Sequence, residues 1–159
     1  MLYWFVGSDH LRRLLRRHAA TVAVITATNG ERPVGFTATS FTSVSLDPPL
    51  ISFSLYRGSS SWPSMAATRH VAVHLLAADQ ADVARTFAAS GIDRFATSVW
   101  RCGPYGLPVL DGALAWLVCR VVERIAAGDH TIVVAEPVVG EYVEGTPLIY
   151  HNGQYAALV

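Results

Sequence analysis

Six hydroxyls, those of Thr37, Thr39, Ser40, Thr42, Ser43 and Ser45, fall within GFTATSFTSVSLDPPL (Gly35 to Leu50), which carries no charge before Asp47. Its β-branched and aromatic content suits a strand. A row of neutral donors and acceptors on a rigid, half-buried strand suits the polar edge of a ring. Further on, RGSSSWP places Arg57 beside Ser59, Ser60 and Ser61 at the expected start of a short helix. A cation, hydroxyls and exposed amides in one turn form a ready anion site. A third segment, Gly91-Ile92-Asp93-Arg94-Phe95, sets another arginine beside an aromatic ring. A planar polar heterocycle with a phosphate tail would use all three, as edge hydrogen bonds, phosphate cradle and clamp.

Other chemistries are absent from the residues. There is no GxGxxG for a dinucleotide-binding helix and no GxSxG elbow. All 12 basic residues are arginines, which removes a Schiff-base lysine and the lysine of a P-loop. His70 and His74 would share one face of a strand, but without a third ligand no metal site is expected. The pair Asp129-His130 looks arranged, at a position that also reads as a hairpin turn. Cys102 and Cys119 are too far apart for a CxxC element and are expected as free, mostly buried thiols.

The elements that must position these residues are mostly strands. TVAVITATNG runs into an Asn29-Gly30 turn, and the hydroxyl-rich segment from Val34 to Ser45 reads as its partner strand. Asp47-Pro48-Pro49 breaks that strand, and further strands follow over Leu50 to Tyr56 and His70 to Ala77. ALAWLVCRVVERI and HTIVVAEPVVGEYV form two longer strands, and LIYHNGQYAAL closes the chain as a hairpin about Asn152-Gly153. Short helices are expected after Ser8 or Asp9, after Ser60 or Ser61, and after Asp79, each with the named side chain as cap. Residues 91–112 read as an irregular loop. With no repeating βαβ pattern, the reading is mainly β: a six- to seven-stranded antiparallel split barrel with a few short helices. One domain over residues 9–159 accounts for the length, with residues 1–8 as an N-terminal extension or arm.

The chain has 159 residues, 52% of them hydrophobic and 15% charged, with a formal net charge of zero. That charge gives no general affinity for nucleic acid or an anionic membrane. The charged fraction is below the roughly 25% of ordinary soluble domains, which favours burial of apolar surface in a homodimer. The opening MLYWFV is too short to span a bilayer and lacks the features of a leader, so a cytoplasmic protein is expected.

In this order and spacing, VAVITA, RPVGFTATSFTSVSLDPPL, SSSWPSM, VAVHLLAADQ, DRFA, GLPVLDGALAWLVC, GDHTIVV and PLIYHNGQY resemble the flavin reductase-like, FMN-binding split-barrel family. Its members are the reductase components of two-component flavin monooxygenases. The resemblance runs from about Leu11 to Tyr155. It implies that Thr37, Ala38, Thr39, Ser40 and Phe41 line the isoalloxazine, with Ser43 and Ser45 nearby. The turn from Tyr56 through Arg57 to Trp62 would hold the phosphate on Ser59, Ser60 and Ser61. Asp93, Arg94 and Phe95 would close near the flavin, and His130, Tyr150 and His151 would lie near its face and the nicotinamide. Where Val118 stands, the family often has an acidic residue.

The implied activity is NAD(P)H:flavin oxidoreduction, hydride passing to FMN or FAD, with His130 as the residue nearest the chemistry. Reduced flavin would go to a partner monooxygenase. The competing reading is a flavin- or haem-binding carrier or sensor without turnover.

Overall fold

The computed structural model describes residues 5–159; the first four residues of the expected N-terminal arm lie outside them. Its centre is a seven-stranded, wholly antiparallel sheet in the order β3-β2-β6-β9-β10-β5-β4. These strands are β2 (Ala23–Thr28), β3 (Pro33–Ala38), β4 (Thr42–Leu46), β5 (Pro49–Tyr56), β6 (His70–Leu75), β9 (Ala115–Ala127) and β10 (His130–Tyr142). Alternate residues share a face of a strand, and one face of each long strand enters a single core. Ala23, Ile25 and Ala27 of β2 meet Phe36, Phe53, Leu55, Val71, Val73, Cys119, Val133 and Ala135 there. The sheet therefore curls about a side-chain-filled interior, the expected split barrel.

β2 is buried on both faces; its outward Val24, with Val22 just before the strand, belongs to a second core. Above them lie α3 (Ala81–Ala88), Phe95 and a small sheet of β1 (Ala20–Thr21), β11 (Leu148–His151) and β12 (Gln154–Ala157). Residues 91–112, expected as irregular, contain a short hairpin of β7 (Trp100–Cys102) and β8 (Pro108–Leu110). Beneath that region Val118 packs with Ala72 and Leu107 in a small cluster of its own.

Several local expectations are corrected. The hydroxyl-rich segment is two strands, not one. Thr39, Ser40 and Phe41 carry the chain from β3, at one edge of the sheet, to β4 at the other. Ser40 makes the switch possible: its Oγ accepts the Ser54 N–H at 2.9 Å and lies 3.3 Å from the Ser54 carbonyl. A side chain thus supplies the rung that a continuous ladder would have supplied. The Asn29-Gly30 signal lies in a longer loop, in which Asn29 Oδ1 accepts the N–H groups of Glu31 and Arg32.

None of the three α-helices among the described residues carries the expected side-chain cap. α1 (Ser8–Leu15) begins after Gly7, and α2 (Trp62–Ala67) after Ser61. α3 follows Gln80, not Asp79, and the Gln80 amide instead ties Ala77 N–H to the Asp111 carbonyl. Both cysteines are free, but only Cys119 is buried, where desolvation pushes its thiol up to about 12; Cys102 is exposed.

His74 has zero exposure and both ring nitrogens engaged. Nδ1 lies 2.9 Å from the Val24 carbonyl, and Nε2 accepts the Leu110 N–H at 3.1 Å. That pairing requires the neutral ring with its proton on Nδ1, and it takes His74 out of metal ligation. Burial lowers its pKa to about 4, outweighing the rise from the Val24 bond, and the charge of Arg101 lowers it further. The folded state therefore binds fewer protons than the unfolded one. The stability contributed is complete above the unfolded value of 6.5 and is lost as pH falls from there towards 4. The loss amounts to about 3 kcal/mol. Urea unfolding at a series of pH values across this window measures it, and a His74→Gln variant should show a shallower dependence; an equal slope would assign the loss to other groups.

Candidate functional site

The three segments singled out above converge on the open edge of β3. The Gly35 carbonyl accepts hydrogen bonds from Ser61 Oγ at 3.2 Å and Arg94 Nη1 at 2.7 Å. Gly35 has no room for a side chain, since a Cβ would stand 3.0 Å from both the Ile25 carbonyl oxygen and Phe87 Cε1. Backbone groups of alternate residues in a strand point the same way. With the Gly35 carbonyl turned outward, the peptide groups of Thr37 face that edge too. On this side Thr37 Oγ1 donates to the Ala84 carbonyl at 2.7 Å, fastening α3 to the strand.

Beside this edge lies a cleft of about 650 Å³, within the range of small-molecule sites. Thr37, Ala38, Thr39 and Ser40 form one wall, and Tyr56, Gly58, Ser59 and Ser60 form another. Phe36 and Phe87 supply apolar surface, and Gly91, Arg94 and His130 are also among the lining. Gly58 lies against the Tyr56 ring; a Cβ there would approach Cε1 to 2.3 Å.

The turn after β5 is left with spare donors. Ser59 N–H goes to the Tyr56 carbonyl, Trp62 N–H to the Ser59 carbonyl, and Ser61 N–H to Ser59 Oγ. The amides of Gly58 and Ser60 and the hydroxyl of Ser60 have no hydrogen-bond partner among the described residues. Arg94 stands across from them. Its Nε donates to the Ala89 carbonyl at 2.8 Å and its Nη1 to Gly35, while Nη2 carries no bond and the guanidinium forms no ion pair among the described residues. Burial lowers its pKa from the ordinary value, yet a guanidinium stays charged at neutral pH. It is a fixed cation without an anion.

His130 starts β10 opposite Tyr56, their rings 5.7 Å apart. Its Nδ1 lies 2.6 Å from Asp129 Oδ1. The hydrogen bond from His130 holds the Asp129 carboxyl below its usual range, aided by the charges of His130 and Arg57. With its Nδ1 proton directed at Asp129, a neutral His130 keeps Nε2 as an acceptor.

Thr37, Ala38, Thr39, Ser40, Tyr56, Ser59, Ser60, Arg94 and His130 are thus brought together. The other expected residues lie elsewhere. Ser61 is buried with its hydroxyl given to Gly35. Arg57 turns its guanidinium onto the carbonyls of Gly128 and His130, bracing the turn that presents His130. Phe41 and Trp62 pack on the barrel core, and Ser43 and Ser45 belong to edge strand β4. Asp93 Oδ1 accepts the Phe95 N–H at 3.0 Å, and Phe95 is buried edge-on to Phe87. Tyr150 and His151 belong to the small separate sheet. Not singled out from the sequence for this lining were Phe36, Ser54, Leu55, Phe87, Ala88 and Ser90. Phe87 had a signal in its helical spacing from Val83, but Ser54 had none.

The same architecture occurs in known proteins. The family model described as "Flavin reductase like domain" matches residues 15–158. An NADH:FMN oxidoreductase of Rhodococcus erythropolis is 44% identical over 151 residues, covering 91% of this chain and 78% of that protein. The reductase subunit of a flavin-dependent monooxygenase from Mycobacterium tuberculosis is 33% identical, covering 92% and 80% respectively. The structure of a Streptomyces globisporus NADH:FAD oxidoreductase in complex with NAD and FAD fragments superposes with a TM-score of 0.92 at 31% identity, over 99% of this chain and 98% of that one.

The two neighbouring serines differ in what they hold. Ser61→Ala should cost about 1 kcal/mol of folding free energy by removing a buried hydrogen bond, whereas Ser60→Ala should stay within about 0.5 kcal/mol of the parent. Equal urea midpoints for the two variants would remove Ser61 from the Gly35 junction.

Proposed function

The chain belongs to the flavin reductase-like family, and from that premise we propose that the cleft along β3 is where its flavin and nicotinamide meet. The protein is an NAD(P)H-dependent flavin reductase that supplies reduced flavin to an oxygenase. The carrying observation is the convergence of outward peptide groups at Thr37, the spare donors of Gly58 and Ser60, and the unpaired Arg94 around one hollow.

These residues fit a flavin. The Thr37 peptide groups and the Thr39 hydroxyl suit the polar edge of its ring system, and Phe36 and Phe87 offer apolar surface. The Ser60 amide and hydroxyl, the Gly58 amide and the Arg94 cation suit a phosphate. Bound there, the flavin supplies the redox chemistry by accepting hydride from a dihydronicotinamide. Tyr56, half exposed at the mouth, shields the cleft from water. His130 Nε2, its ring held by Asp129 and its turn by Arg57, orients the incoming nicotinamide. Correct placement of two reactants is the main service a protein renders in such a transfer.

The reading extends to assembly and location. α1 exposes Leu11, Leu14 and Leu15, and β10 ends in exposed Val138, Val139 and Tyr142. Apolar surface of this extent in a weakly charged chain favours a homodimer. No helix among the described residues is long and apolar enough to cross a membrane; we place the protein in the cytoplasm, as one domain over residues 9–159.

NADH and NADPH oxidation by the purified protein, with FMN, FAD or no flavin added, tests the assignment. Flavin-dependent loss of nicotinamide absorbance is expected; tight flavin binding without turnover would make the protein a carrier or sensor. Ser60→Ala should weaken flavin binding by about 1 kcal/mol, roughly fivefold. His130→Ala should slow turnover more than it weakens flavin binding, and the opposite pattern would make His130 a flavin ligand. Sedimentation at micromolar concentration should give a dimer mass; a monomer would refute the homodimer.

A further inference from the structure

A second hollow, of about 630 Å³, is lined by residues that do not touch the flavin cleft. It lies where the β7–β8 hairpin, the turn after it and the meeting ends of β9 and β10 come together. These segments are tied to one another through the backbone. The Asp111 N–H bonds the Val99 carbonyl at 2.9 Å, and the Gln80 amide holds the Asp111 carbonyl at 2.9 Å. The Leu114 N–H bonds the Leu75 carbonyl at 2.9 Å, and the Leu114 carbonyl accepts the Val143 N–H at 2.8 Å. The frame of the hollow is therefore formed before any ligand arrives, as small-molecule sites usually are.

We propose that this hollow binds a small organic cation with an apolar body, of the alkylated ammonium class. Two features of the lining match the two properties of such a ligand.

The first is aromatic surface. Trp100, Trp116 and Tyr142 all line the hollow. The negative faces of such rings attract a cation, and most strongly a weakly hydrated one. Phe95 braces Trp100 edge-on with ring centres 5.6 Å apart, and Trp116 packs on the cluster of Ala72, Leu107 and Val118. One contact of this kind is already made within the chain, since the Arg101 guanidinium lies over the Trp116 ring, 5.4 Å from its centre. The rings of Trp100 and Tyr142 carry no cation among the described residues. Leu110 and Leu114 add apolar surface for the body of the ligand.

The second is charge. Asp111 and Glu141 belong to the lining. Glu141 stands directly opposite Trp116 in the β9–β10 ladder, which puts both side chains on one face of the sheet. Neither carboxylate, nor Arg101, forms an ion pair among the described residues. Two carboxylates against one guanidinium leave the hollow net negative, and that guanidinium is already seated on a ring. A cation gains from the carboxylates and the free ring faces together, whereas an anion would meet one favourable charge and two like ones. A bare metal ion suits the lining less well, because no group of three or more His, Cys, Asp or Glu side chains gathers among the described residues.

The test uses benzyltrimethylammonium, benzyl alcohol and phenylacetate, which share a benzyl group and differ in charge. Each is titrated calorimetrically into the full chain, with and without saturating FMN. Benzyltrimethylammonium should bind about tenfold more tightly than phenylacetate, with benzyl alcohol between them. Glu141→Gln, Asp111→Asn and Tyr142→Ala should each weaken the cation several-fold, and Arg101→Gln should tighten it. Asp111, Glu141 and Tyr142 are exposed, so these variants keep the fold. The affinities should be the same with FMN present; binding that FMN abolishes would place the probe in the first cleft and overturn the proposal. So would phenylacetate binding as tightly as the cation, or a cation affinity unmoved in both carboxylate variants. Absence of binding also overturns it, and a Tyr142→Ala chain that then sediments as a monomer would show a second copy covering the hollow. Failure of FMN to bind would count against the flavin cleft alone, since the probe titrations run without it.

Discussion

The Gly35 carbonyl is the point on which the site depends. An edge strand presents unpaired peptide groups that would ordinarily be covered by another strand. Here the nearest of them is taken by Ser61 and Arg94, two side chains from segments remote in sequence. Because side chains and not a strand engage this edge, it is occupied at one residue and open two residues later. The open part, at Thr37, is what the cleft offers a polar ring. The same contacts fix the turn carrying Ser60 and the loop carrying Arg94, so the cradle and its cation are placed by the strand they serve.

Keeping a barrel split requires that the rest of it be secure. Ser40 closes the chain across the gap by bonding the Ser54 backbone, so β3 and β4 can sit at opposite edges with only three residues between them. His74 performs the corresponding task outside the barrel. Its two nitrogens join β2 to β8 through a carbonyl and an amide that belong to different layers. A buried neutral imidazole can hold a donor and an acceptor at once, which no aliphatic side chain can. No buried side-chain nitrogen or oxygen among the described residues lacks a partner, so the openness of the site is not matched by loose polar groups inside.

Strand periodicity and turn residues made the barrel legible, because alternation of core and outward residues is written directly into β5 and β10. Hairpins at Gly128 and at Asn152-Gly153 were legible for the same reason: residues with φ above zero there leave few choices. The hydroxyls were harder. Thr37, Ser40 and Ser61 are the same residue types as Thr39 and Ser60, yet the first three are spent on holding the architecture and the last two face the cleft. Sequence supplies the donor but not its acceptor, and the acceptors here lie 47, 14 and 26 residues away. Arg57 and Phe95 are engaged in the same way, one by backbone carbonyls and the other by an aromatic stack. Type and spacing identify a site's neighbourhood; long-range partners decide which of its members are free.

The residue for which this distinction matters most is Arg94, and its chemistry explains why an arginine is there. The guanidinium is planar and donates in fixed directions. With Nε on Ala89 and Nη1 on Gly35, the plane is set, and the remaining donors of Nη2 have a defined direction without further support. A lysine ammonium could satisfy the same carbonyls only by turning its donors away from any ligand, since three protons on a single atom cannot be divided between two distant acceptors and an anion beyond them. One arginine can therefore hold the loop to the strand and still present charge to the cleft. In a chain with no lysine and few charges, that unpaired cation has no competing arginine for an anion among the residues lining the cleft.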